Sequence, residues 1–96
     1  MKHLKVNGQL LNMDKKFSHL KQKQKHTISE WLYYATLDFY NENKRMPNKN
    51  NKIKIVGNVY EKIEDASIWI PFGEVLGYYL SHYSKYEKRI FRNISD

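Results

Sequence analysis

The spacing of apolar positions changes several times along this chain, and each change predicts an element. Leu4 and Val6 precede Asn7-Gly8, and Leu10 and Leu11 follow it. Asn-Gly is the favoured centre of a type I′ turn because both residues take positive φ, so the pattern predicts a β-hairpin with strands at 3–6 and 9–12. A lone hairpin is marginal in water and has to lean on other structure. Asp14 then stands where it would cap a short basic helix over 15–24, with Phe17 and Leu20 on one face and lysines over the rest.

Helical spacing takes over next. Thr27 and Glu30 have the T-x-x-E spacing of a capping box, which predicts a helix from Ile28 to the neighbourhood of Lys44. Ile28, Leu32, Ala35 and Phe39 fall on one side of it, while Tyr33, Leu37 and Tyr40 fall nearly opposite. Such a helix is either packed on both sides or offers one aromatic face to a partner. The stretch NENKRMPNKNNK reads as a loop, IKIV as an edge strand at 53–56, and Gly57-Asn58 as a turn. Asn58 and Glu61 repeat the capping spacing ahead of a short helix with Val59, Tyr60 and Ile63 inward.

The last third is the most regular. Ile68, Trp69 and Ile70 make a brief extended run, Pro71 suits a helix entry, and Glu74 falls in the first turn, where a carboxylate complements the helix dipole. Val75, Leu76, Tyr79, Tyr83, Tyr86, Ile90 and Ile94 then recur at the α-helical period, which predicts a long terminal helix. The elements together predict an α+β fold, mainly helical: an N-terminal β-hairpin, then a three- to four-helix core with short strands, compatible with a winged-helix-like arrangement that uses the last helix as reader. Ninety-six residues suit one domain, with 1–26 as a basic hairpin-and-helix appendage and 27–96 as the core.

Charge adds the main functional clue. The formal net charge is +7, and it is uneven: residues 1–26 hold seven lysines against Asp14 alone, while the rest of the chain is nearly balanced. Lys21, Lys23 and Lys25 form a comb before the first long helix. Lys49, Lys52 and Lys54 follow Lys44 and Arg45 with no acid among them, and Lys85, Lys88, Arg89 and Arg92 crowd the terminal helix. Acids gather instead at Glu61, Glu64 and Asp65. Such segregation favours polyanions, so these ten cations are the expected phosphate contacts of a nucleic-acid-binding protein, DNA or RNA. The competing expectation is an interaction module that binds an acidic protein, or a second copy of itself, through Tyr33, Leu37 and Tyr40. Plain solvated surface is the simpler account of any single cluster.

Catalysis finds little material. His3, His19, His26 and His82 show no close metal-ligand spacing, and without cysteine there is no thiolate metal site or disulfide framework. Neither a phosphate-cradling glycine loop nor a nucleophile elbow occurs, so no enzyme activity, metal or cofactor is expected. Lack of cysteine, of a signal-length apolar run and of any stretch long enough to span a bilayer makes cytoplasmic residence the expectation, without membrane attachment.

Overall fold

The computed structural model describes residues 3–6, 9–12 and 16–95. Strands β1 (His3–Val6) and β2 (Gln9–Asn12) pair antiparallel, with His3 opposite Asn12 and Val6 opposite Gln9. A 3-10 turn at Phe17–His19 leads into helices α1 (Gln22–Asn43), α2 (Lys49–Asp65) and α3 (Phe72–Ser95). Each of the three helices packs on the other two, and the 3-10 turn packs on α3.

The core is the meeting of three apolar stripes. Ile28, Leu32 and Tyr33 of α1 meet Val56, Val59 and Ile63 of α2 and Val75, Tyr79, Tyr86 and Ile90 of α3, and Ile70 joins them from the α2–α3 connection. Full burial of an aliphatic side chain of this size contributes about 1.5–3 kcal/mol, so this cluster is the main source of stability. Phe17 and Leu20 enter the same core from ahead of α1. The body of the molecule therefore includes residues 16–26, and α1 runs through position 26 without a break.

α2 and α3 run antiparallel: the Tyr60 ring meets Phe72 at 5.4 Å, while Lys52 near the other end of α2 places its Nζ 3.8 Å over the Tyr83 ring. The Tyr60 hydroxyl donates to the Ile70 carbonyl at 2.7 Å and ties the connection down. Polar ties between α1 and α3 run from Ser29 to Tyr86 at 2.9 Å, from Thr36 to Tyr79 at 2.6 Å and from Asn93 to the Tyr33 hydroxyl at 3.1 Å.

The α+β, winged-helix-like expectation is overturned. Among the described residues the packed body is all-helical, and no sheet forms a layer of it. The strand expected at 53–56 lies inside α2, and 68–70 is assigned to neither helix nor strand. Four residues of IKIV satisfy a two-residue period as easily as a helical one, and the deciding signal is longer range: Ile55, Val56, Val59 and Ile63 make a continuous helical stripe. The expected turn at Gly57-Asn58 and cap at Asn58 likewise lie within α2. Its true cap is Asn48, whose Oδ1 accepts from the Asn51 amide at 2.9 Å while Asn51 Oδ1 accepts from the Asn48 amide at 3.1 Å. The turn expected at Asn7-Gly8 and the cap expected at Asp14 fall outside the described residues.

α1 also starts earlier than the Thr27 box implies. Its lysines and glutamines are good helix formers, and the Lys21 amide donates to Gln24 Oε1 at 3.2 Å to open the helix. Thr27 instead back-bonds to the Lys23 carbonyl at 2.9 Å, and Glu30 turns toward α3. At the far end of α2 the amides of Ser67 and Ile68 donate to the carbonyls of Glu64 and Ile63, at 2.9 and 3.1 Å, and Ser67 takes φ 59°. This is the Schellman pattern, closed by the Ile63–Ile68 apolar pair.

Candidate nucleic-acid interface

The site begins with an aromatic column. Phe17 stacks on Tyr78 at 4.0 Å, and Tyr78 stacks on His82 at 4.0 Å. The Phe17 amide also donates to Glu74 Oε1 at 2.9 Å. These contacts hold the chain ahead of α1 against the first half of α3. Between them lies a groove of about 660 Å³, bordered by Lys16, Lys25, His26 and Ser29 on one side and by Gly77 and Ser81 on the other. A Cβ added at Gly73 or Gly77 would meet nothing within 4 Å, so the α3 wall of the groove is open.

Its electrostatics are one-sided. Glu74 is the carboxylate among the lining residues, and it is already engaged by the Phe17 amide and by Lys16 Nζ at 3.9 Å. From Ser81 the polar stripe continues along α3 at intervals of four, three and four residues through Lys85, Lys88 and Arg92, all exposed. That spacing keeps one helical face over about 16 Å. Among the described residues the ion pairs are Lys16–Glu74 and Arg89–Glu30, so neither uses the cations of this stripe or Lys25.

The ten cations nominated from the sequence separate into different roles. Lys21 is the cap residue ahead of α1, while Lys23 and Lys25, two residues apart, fall on different faces of the helix; the comb is even in sequence and split in space. Lys25, Lys85, Lys88 and Arg92 follow the groove and its stripe. Lys49 and Lys54 are exposed on α2, and Lys52 leans over Tyr83, so the second cluster sits on a helix and not on the expected loop. Arg89 is committed elsewhere: its Nη1 and Nη2 donate to Glu30 at 2.8 and 3.3 Å, and its guanidinium lies 3.7 Å over the Tyr33 ring. The bonds from Arg89 hold the Glu30 carboxyl below the usual carboxylate range, and the same bonds raise the Arg89 pKa further.

The aromatic face drawn through Tyr33, Leu37 and Tyr40 is turned inward. Tyr33 is 2% exposed, and Leu37 and Tyr40 are half-buried against the core, Tyr40 meeting Phe91 edge-on at 6.0 Å. Sequence reasoning did not nominate Lys16, His26 or Ser29. Nothing local marks them: His26 and Ser29 reach the groove by the packing of α1 on α3, and Lys16 by the docking of Phe17 on Tyr78.

Among the described residues no helix is long and apolar enough to cross a membrane. Compared with protein-family models, curated proteins and solved structures, the chain matches none.

Proposed function

We propose that this chain is a non-catalytic, cytoplasmic nucleic-acid-binding protein, accessory or regulatory in role, that holds phosphates along the α1–α3 groove and the stripe leading out of it. One observation carries the reading: Lys25 of α1 lines the groove, Lys85, Lys88 and Arg92 continue along α3 on the helical face of its Ser81, and the groove's acid, Glu74, is already engaged by Lys16 and the Phe17 amide. With no base-reading constellation in the track, affinity is expected to depend on salt far more than on sequence.

The test is fluorescence anisotropy of labelled single-stranded RNA, single-stranded DNA and duplex DNA across a salt series, for the parent protein and for Lys25→Glu, Lys85→Glu, Lys23→Glu and Lys54→Glu. The reading expects the first two reversals to weaken binding and lower the salt slope by about one each. Lys23→Glu and Lys54→Glu, off the track, serve as charge-matched controls. Equal losses in all four variants, or binding indifferent to salt, would remove the track from the account.

A further inference from the structure

The acidic cluster Glu61, Glu64 and Asp65 has no part in the groove, and it shares a helix with the cluster Lys49, Lys52 and Lys54. α2 has seventeen residues, and Gly57 is its middle one. All three lysines of the cluster precede Gly57 and all three acids follow it; Lys62, the exception, is off this stripe and borders the cleft between α1 and α2. Lys49, Lys54, Glu61, Glu64 and Asp65 are exposed, and none takes part in an ion pair among the described residues.

Asn50, Lys54, Gly57, Glu61 and Glu64 follow one another at steps of four, three, four and three, the spacing of a single contact stripe. A glycine at the centre of a helix costs about 1 kcal/mol relative to alanine. The fold itself supplies no reason for it here, since a Cβ at Gly57 would meet nothing within 4 Å. Two apolar side chains flank the stripe: Ile53 is 41% exposed, and Leu80 of α3, one turn from the Tyr83 that carries Lys52, is 50% exposed.

From this arrangement we infer that the outer face of α2 binds a second copy of the chain, with the two α2 helices antiparallel about a two-fold axis at Gly57. A two-fold contact is self-complementary, so each residue before the axis meets a residue after it. The charge order of α2 then sets Lys54 of each copy against Glu61 of the other, and Asn50 against Glu64. A parallel pairing would oppose like charges instead. Gly57 lets the two backbones approach at the axis, and Ile53 and Leu80 supply the apolar contact beside it. Because the interface rests on exposed ion pairs, the dimer is a weak one that dissociates as salt rises.

The experiment is sedimentation equilibrium over a range of concentrations and salts, on the parent chain, on Lys54→Glu and on Glu61→Lys. Each reversal sets two like-charged pairs across the axis and is expected to weaken dimerisation by about tenfold or more. Both positions are exposed, and unchanged circular dichroism serves as the check on folding. The decisive sample is an equimolar mixture of the two variants. In a mixed dimer, positions 54 and 61 again carry opposite charges at both contacts across the axis, so dimer returns although neither variant dimerises alone. A parent chain that stays monomeric at low salt, single reversals that leave the dimer intact, or a mixture that remains monomeric would each overturn the proposal.

Discussion

The hydroxyl of Tyr79 lies 2.6 Å from Oγ1 of Thr36, and both side chains are fully buried. Thr36 Oγ1 also donates to the Leu32 carbonyl at 2.8 Å, so its one hydrogen is used within α1 and the Tyr79 hydroxyl is left to donate to Thr36. The bond joins α1 to α3 at a place otherwise filled by hydrocarbon. Burial raises the Tyr79 pKa.

Removing either partner therefore has unequal effects. Tyr79→Phe leaves Thr36 bonded to Leu32 and is expected to cost about 1 kcal/mol. Thr36→Val leaves a buried phenol with no acceptor and is expected to cost more, roughly 2–3 kcal/mol. With both changes together no polar group is stranded, so the double variant is expected to be more stable than Thr36→Val alone. Urea unfolding of the four proteins measures the coupling, and simple additivity would rule out this donor assignment.

Arg89 and Glu30 make a second cross-helix tie, at the surface. The native Glu30 pKa lies below its unfolded value, so the pair contributes stability at neutral pH that is lost as pH falls from about 4.3 through the native value. Glu30→Gln is expected to lower neutral stability by about 0.5 kcal/mol and to flatten the acid limb of the stability curve. Arg89→Ala also removes the guanidinium from the Tyr33 ring and is expected to cost more, about 1–2 kcal/mol. Thermal unfolding between pH 3 and 7 separates the two effects.

What could be read without the structure follows the length over which a signal repeats. α3 was legible because Val75, Tyr79, Tyr83, Tyr86 and Ile90 keep one period over several turns, and Pro71 marks its entry. α2 was not, because its first turns are asparagine and lysine and its apolar residues begin only at Ile53, within four residues that alternate like a strand. The early start of α1 was hidden for a related reason: Gln22, Lys23, Gln24 and Lys25 are good helix formers with no apolar marker, and Thr27 offered a more familiar signal that the chain uses otherwise. The charge clusters were visible as such. Their separation into a track, a tie to Glu30 and an outer face on α2 depends on helix faces and on the Phe17–Tyr78 contact, which a linear pattern does not encode.

Tyr83 gives an alkaline counterpart to Glu30. Burial, first, and then the nearby Tyr79 and Glu87 push its pKa up to about 12. A group whose native pKa exceeds its unfolded value of about 10 contributes stability that is complete below pH 10 and is lost as pH rises toward 12. Tyr83→Phe is expected to leave stability at pH 7 nearly unchanged and to reduce the loss over that alkaline window. Tyrosinate absorbance against pH, followed together with circular dichroism, reads both; a parent protein that ionises all its tyrosines near pH 10 while still folded would contradict it.

Ser67 holds the conformation that ends α2. Its φ of 59° is in the left-handed region, where a Cβ crowds the backbone, and glycine is the residue usually found at this position of a Schellman turn. Its amide bond to Glu64 and the Ile68 bond to Ile63 belong to the backbone, so they survive a change of side chain. The Ser67 side chain is exposed and carries no bond that the turn needs. Ser67→Gly is therefore expected to raise stability by about 0.5–1 kcal/mol, the relief of strain outweighing the added freedom of the unfolded chain. Ser67→Val, branched at the crowded carbon, is expected to lower stability by about 1 kcal/mol or more. Chemical denaturation of the pair gives opposite shifts of the midpoint if the strain is local; shifts of the same sign would mean that the serine side chain, and not its backbone angle, governs this turn.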